Sequence, residues 1–221
     1  MVEIAPEGEW NATLLLLHGL GASGQDLAAL VPPLRQILPA GLASGLKVLC
    51  PDAPVQPVTI NGGMPMRSWF DIRGLDRDDP VDTAGIDAAT ARARQWLNEP
   101  IRRHGKERCF VGGFSQGGVV ALHAALGHEE PLGGVFGLST WLPAAERLPA
   151  PARHATLPVF LAHGLQDDLV RPAALNGMIE WLHDRGYTSV ESQLHDGGHA
   201  IPPEVVAALG QWLGCVVSSN P

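Results

Sequence analysis

Short, uninterrupted apolar runs alternate with longer segments of helical periodicity from one end of the chain to the other. Six runs read as strands: Thr13–His18, Lys47–Pro51, Arg108–Gly112, Gly134–Leu138, Pro158–His163 and Ser189–His195. Five helices are predicted between and after them, over Asp26–Leu38, Thr83–His104, Gln116–Gly127, Pro172–Arg185 and Pro203–Leu213. In Ile86–Ile101 the apolar positions Ile86, Ala89, Ala93, Trp96, Leu97 and Ile101 recur at helical spacing, a stripe best explained by core packing. Strands that are apolar without alternation are covered on both faces. The pattern therefore predicts an α/β fold with a mostly parallel central sheet and helices on either side.

Bulk properties narrow the function. A chain of 221 residues with 45% hydrophobic content fits one domain over residues 1–221. The formal charge of −8 comes without any Lys/Arg cluster, so the counterion displacement that nucleic-acid binding needs has no source. The longest apolar run near the start, Leu14 to Leu17, is far too short to span a bilayer, so no integral membrane segment is expected. The opening Met1-Val2-Glu3-Ile4 lacks the basic and apolar regions of a signal peptide. Cys50, Cys109 and Cys215 are odd in number, widely spaced and without metal-ligand spacing, as expected of reduced thiols in a cytoplasmic protein.

One stretch breaks the rhythm. Between Asp52 and Thr83 the chain is rich in Pro and Gly, and Ala53 to Gly74 carries the apolar side chains Val58, Ile60, Met64, Met66, Trp69 and Phe70. Long irregular connections of this kind usually serve as lids or binding loops. A lid-like loop is expected over residues 53–74, part of it a hairpin turning at Asn61-Gly62.

The chemistry centres on Arg108 to Gly118, RCFVGGFSQGG. A β-prone run ends in Gly113-Phe114-Ser115-Gln116-Gly117, and an apolar helical pattern follows at once. The pentapeptide alone says little in a chain with 26 glycines. Strand before and helix after is the setting of a nucleophile elbow, in which a serine sits on a strained turn that its flanking glycines permit. Ser115 is therefore the candidate nucleophile, at a helix N-terminus that favours developing negative charge.

A serine hydroxyl needs a base, and the base an orienting acid. On an α/β-hydrolase sheet these follow in chain order, each just after a later strand. Leu157 to Val170 supplies a strand and then Asp167 and Asp168; residue order does not separate the two acids. Ser192 to Glu204 supplies a strand, a glycine loop with His199, and a helix; His195 is the rival base. Two donors are needed for the oxyanion. The backbone N–H of Gln116 is one, and Leu20, in the His18-Gly19-Leu20-Gly21 loop after an early strand, is the candidate for the other.

The set HGLGASG (His18 to Gly24), APVQPVTINGGMPMRSWFDI (Ala53 to Ile72), GFSQGG (Gly113 to Gly118), LSTWLP (Leu138 to Pro143), HGLQDDLV (His163 to Val170) and GGHAIPPE (Gly197 to Glu204) resembles the phospholipase/carboxylesterase family. That family includes the acyl-protein thioesterases and small bacterial carboxylesterases. The resemblance runs nearly end to end. It implies an α/β-hydrolase without a large cap domain, acting without a cofactor on esters, thioesters or lysophospholipids. Carried over by position, it makes Ser115 the nucleophile, His199 the base and Asp167 the acid, with Asp168 where the family usually has Pro. Leu20 and Gln116 align with the oxyanion donors. The Ala53–Ile72 loop resembles the segment over the acyl groove, with Trp69, Trp141, Met64 and Leu165 as candidate substrate contacts. Leu165 and Ala22 replace two acidic residues common in the family, which alters the pocket rim.

Serine (thio)ester hydrolysis of short to medium acyl chains is the resulting expectation. Two other readings stay open at this level: another chemistry on the same scaffold, such as a peptidase, perhydrolase or lyase, and a non-catalytic binding protein. The apolar loop also makes a homodimer conceivable.

Overall fold

In the computed structural model, which describes residues 1–74, 79–150 and 152–219, the apolar runs assemble into a seven-stranded sheet. In chain order the strands are β1 (Val2–Ile4), β2 (Ala12–Leu17) and β3 (Leu46–Cys50), then a hairpin of β4 (Val55–Val58) and β5 (Met64–Arg67) outside the sheet. After it come β6 (Cys109–Phe114), β7 (Gly134–Leu138), β8 (Val159–Gly164) and β9 (Val190–His195). The sheet order is β1-β3-β2-β6-β7-β8-β9, with β1 antiparallel at one edge and every other pairing parallel. The chain steps outward from β2 to β3, crosses back to β6 on the other side of β2, and then advances to β9. The order thus reverses around β2, the kind of point where open α/β sheets place their ligand crevices.

The helices are α1 (Gly24–Ala28), α2 (Val31–Ile37), α3 (Ala40–Gly45), α4 (Thr83–His104), α5 (Gln116–Leu126), α6 (Ala173–Asp184) and α7 (Pro203–Ser219). Side chains of one strand serve two separate cores because successive residues point to opposite faces. Leu15 and Leu17 of β2 join Val111, Val135 and Leu161 under α4, α5 and α6. Leu14 and Leu16 join Phe110, Phe136 and Phe160 under α1, α2 and α7. All six residues of β2 are buried, which explains why the run reads as apolar without alternation.

The expected strands all appear, Gly134–Leu138 unchanged and the others with ends shifted by at most two residues. β1 was not expected; three residues are too short to give a pattern. The helix expected over Asp26–Leu38 is instead two, α1 and α2. Pro32 and Pro33 lack the N–H that a continuous helix would need there, so they are confined to the first turn of α2. At the C-terminal end the expected stop at Leu213 fails. Gly214 continues α7 to Ser219, because Val216 is buried and Val217 half-buried against the second core. Packing there outweighs the cost of a helical glycine.

Of the stretch between Asp52 and Thr83, residues 75–78 lie outside the described residues. Before them, Val55–Val58 pairs antiparallel with Met64–Arg67, and a 3-10 turn at Thr59–Asn61 leads into Gly62 and Gly63. Both glycines have positive φ, 66° and 79°, so the turn lies where the Asn-Gly pair put it. Among the described residues no helix is long and apolar enough to cross a membrane.

Candidate active site

The parallel register of β2 and β6 sets Leu17 beside Gly113, so the loops leaving both strands emerge together at one sheet edge. The loop after β6 is a single residue: Ser115 joins β6 to α5 with φ 53° and ψ −122°. A non-glycine residue in that region is strained, and the surroundings impose it. Its N–H donates to the Leu138 carbonyl at 2.9 Å, and its own carbonyl accepts from Thr140 Oγ1 at 2.7 Å and Gly118 N–H at 2.9 Å. The glycines are sterically required. A Cβ on Gly113 would stand 2.3 Å from the Gly117 carbonyl carbon, and one on Gly117 would stand 1.9 Å from the Leu17 oxygen.

The loops after β8 and β9 meet beside this turn. His199 Nδ1 lies 2.7 Å from Asp167 Oδ2, and the His199 ring stacks at a tilt on Phe114, 4.7 Å between centroids. The imidazole thus lies against the residue that precedes Ser115 in the chain. Asp167 has no exposed side-chain surface, while His199 keeps 15% of its own. The other carboxylate oxygen accepts the N–H groups of Leu169 at 3.0 Å and Val170 at 2.8 Å. Asp168 is exposed, and His195 is buried with Nδ1 unpaired among the described residues. A third imidazole stands behind the pair. His163, fully buried, donates Nε2–H to the Val170 carbonyl at 2.8 Å and comes within 3.5 Å of Asp167 Oδ2. Burial holds its pKa below the ordinary histidine value, so it stays neutral.

Facing Ser115 across the edge is the loop after β2. The space where a Cβ would stand on Gly19 is 3.4 Å from Ser115 Cβ and 3.2 Å from Phe114 Cδ1. Among the described residues the backbone N–H groups of Leu20 and Gln116 donate to no protein acceptor, whereas those of Gly21 and Ala22 are taken by Arg67 and Gly19 carbonyls. His18 fixes this loop. Its Nδ1 bonds the Gly19 carbonyl at 2.7 Å and its Nε2 accepts the Ala53 N–H at 3.0 Å. That pattern needs a neutral ring, and burial lowers the His18 pKa accordingly.

With a strained serine, a paired His–Asp and two free N–H groups on one edge, comparison with known proteins decides the lineage. Residues 2–216 match the phospholipase/carboxylesterase family. The chain belongs to that family. Acyl-protein thioesterase 1 of Emericella nidulans is 36% identical over 223 residues, 95% of this chain and 92% of that protein. The protein of the same name from Mycosarcoma maydis is 39% identical over 226 residues, 95% and 93% of the two chains. The crystal structure of Zea mays acyl-protein thioesterase 2 has a TM-score of 0.86 with 32% identity, covering 98% of each chain. This member of the phospholipase/carboxylesterase family is thus a serine hydrolase of the α/β-hydrolase fold.

Within this family member the expected substrate contacts fall into two groups. Met64, on the hairpin, and Leu165, after β8, are exposed. Trp141 is half-buried, its ring edge-on to Phe70 at 6.4 Å. Trp69 is only 4% exposed: its indole N–H donates to the His18 carbonyl at 2.8 Å and its ring meets Trp96 edge-on. Two participants had no sequence signal beyond their presence in motifs, namely His163 and the side chain of Gln116. A cavity of about 350 Å³ lies at the opposite edge, where β6 to β9 begin, lined by Glu107, Pro158, Ser189 and Cys215; it holds none of the residues above. Among the described residues no group of three or more His, Cys, Asp or Glu side chains is arranged to hold a metal ion.

Proposed function

We propose that this hydrolase cleaves carboxylic esters and thioesters of short to medium acyl chains through an acyl-Ser115 intermediate. The observation that carries the reading is the 2.7 Å contact of His199 Nδ1 with the buried Asp167, the ring lying against Phe114, the neighbour of the strained Ser115. A carboxylate at Nδ1 keeps the proton there, which leaves Nε2 unprotonated as the base. Ser115 Oγ attacks the acyl carbon as His199 Nε2 takes its proton. Asp167, held by two backbone N–H groups, orients the ring and stabilises its charged form. The oxyanion is bound by the N–H groups of Leu20 and Gln116, a contribution of about 3–4 kcal/mol per donor in comparable enzymes. The protonated His199 then gives its proton to the departing alcohol or thiol. Water, deprotonated by the same ring, releases the acid and restores Ser115.

The acyl chain lies against the apolar wall of the half-buried Met66 and Trp141, the latter backed by the buried Phe70, with Met64 and Leu165 on the rim. Acyl-protein thioesterase relatives support thioesters within the substrate class. Each methylene buried adds about 0.8 kcal/mol of binding, so specificity constants should climb with chain length until the wall is covered. Hydrolysis of p-nitrophenyl esters from acetate to dodecanoate by wild type and Ser115→Ala tests this. Turnover should vanish in the variant, and retention of the wild-type rate there rejects the assignment.

Two features extend the reading. Free thiols at Cys50, Cys109 and Cys215 support a reducing, cytoplasmic setting, which cell fractionation followed by esterase assay checks. The exposed Val55, Ile60 and Met64 on the hairpin support weak self-association, which sedimentation velocity over a concentration series checks.

A further inference from the structure

The mechanism above uses the backbone N–H of Gln116 and leaves its side chain without a role. That side chain is wholly buried and makes three hydrogen bonds to one short segment. Its Oε1 accepts the Trp69 N–H at 2.9 Å, and its Nε2 donates to Ser68 Oγ at 2.8 Å and to the Phe70 carbonyl at 2.7 Å. The buried Ser68 hydroxyl in turn donates to the Phe70 carbonyl. A primary amide offers two donors and about two acceptor sites, so this one is nearly saturated by Ser68, Trp69 and Phe70.

The same segment is tied to the facing loop. The Trp69 indole N–H donates to the His18 carbonyl at 2.8 Å, and the Arg67 carbonyl accepts the Gly21 N–H at 2.8 Å. The base of the hairpin is therefore fastened on one side to the residue after Ser115 and on the other to the loop bearing Leu20. Its apolar side chains reach the Leu20 loop and the Trp141 ring after β7. Met66 packs beside Gly21, with Sδ 4.0 Å from where a Cβ would stand, and the Phe70 ring meets Trp141. A hinged lid would swing about its base, but here the base is fastened, and the tip is tied back as well, by the Ile60 N–H on the Ile72 carbonyl at 2.8 Å and by Thr59 on the Asp71 carboxylate, although the Ile60 and Met64 side chains are exposed.

We propose that the Gln116 side chain is a positioning residue that sets acyl-chain specificity by fixing the apolar wall to the oxyanion donors. One amide then determines both where the wall stands and where the Gln116 N–H points. The inference rests on the reading of Ser115 as nucleophile.

The test uses the full-length enzyme and the ratio of kcat/KM for p-nitrophenyl octanoate to that for acetate. Gln116→Met keeps length and backbone N–H but removes all three bonds. Its kcat/KM should fall for both esters, and the octanoate:acetate ratio should fall at least tenfold, mostly through KM for octanoate. Ser68→Ala removes one acceptor and should lower the ratio in the same direction by a smaller factor. Val216→Ala, on α7 across the sheet, should lower Tm and leave the ratio unchanged. A wild-type ratio in Gln116→Met, with Tm lowered as in Val216→Ala, overturns the proposal and makes the amide merely structural. If Gln116→Met does not fold, an unchanged ratio in Ser68→Ala overturns it equally. Absent ester turnover in folded wild type rejects the reading of Ser115, whereas wild-type turnover with unchanged ratios in both variants rejects this proposal alone.

Discussion

Asp167 illustrates how much a single side chain depends on its surroundings. Four groups converge on its carboxylate: His199 Nδ1, two backbone N–H groups, and the more distant His163 Nε2. Asn at this position offers an amide N–H to one of those donors, which turns the His199 ring or shifts its proton. Asp167→Asn should therefore lower kcat by about 10³–10⁴, as in comparable triads, while Asp168→Asn, whose side chain is exposed, should stay within about twofold of wild type. Steady-state kinetics on one ester decides; a larger loss at Asp168 would reverse the assignment. Chain order alone could not separate these neighbours, since both follow β8. What separates them is the turn that spends one Asp167 oxygen on the Leu169 and Val170 N–H groups and aims the other at His199. The strained turn at Ser115 and the glycine loop carrying His199 were legible because each is set by local context. The bonds of Gln116 were not, since its partners lie 46 to 48 residues away. The burial of Trp69 was not legible for a related reason: an aromatic residue in an irregular stretch gives no local sign that its N–H will sit on the His18 carbonyl.

Among the elements, the elbow and the helices respond oppositely to the same added methyl group. On Gly117 it would collide with the Leu17 carbonyl, backbone against backbone, with no flexible side chain to yield. Gly117→Ala should cost about 3 kcal/mol or more, or prevent folding. On Gly177, an exposed position inside α6, the methyl meets nothing within 4 Å. Gly177→Ala should raise stability by about 0.5–1 kcal/mol by lowering the entropy of the unfolded chain. Urea denaturation of both variants checks the pair, and an equal effect at the two sites would contradict it. The helical stripe of Ile86 to Ile101 was readable because its period is local; the boundaries of α4 fall where expected. The division into α1 and α2 was also written in the chain, in Pro32-Pro33, but the apolar pattern running through them obscured it. Conversely, the true end of α7 depends on what Val216 and Val217 pack against, which no local pattern encodes.

At the scale of the whole molecule, buried histidines couple stability to pH. His18, His123 and His163 are buried and held below the ordinary value of 6.5, chiefly by desolvation, with partly compensating backbone hydrogen bonds. Their unfolded forms take up protons near pH 6.5 and their folded forms do not. Stability should therefore be level above about pH 7 and fall as pH drops from 6.5 towards 5, by up to about 1.4 kcal/mol per pH unit for each histidine. Urea midpoints from pH 8 to 5 measure this; a midpoint constant down to pH 5 contradicts it. The sheet with helices on both faces and the order in which the loops of Ser115, Asp167 and His199 reach one end of it were legible because alternation and motif order are properties of the chain. The fastening of the hairpin to both loops was not, because it joins three separate stretches. The central claim, that these stretches assemble around a nucleophilic Ser115, is tested most directly by fluorophosphonate labelling followed by peptide mass mapping. The account predicts one adduct, on the peptide containing Ser115, absent from Ser115→Ala and slowed by orders of magnitude in Asp167→Asn. An adduct on another residue, or none on the folded wild type, would contradict it.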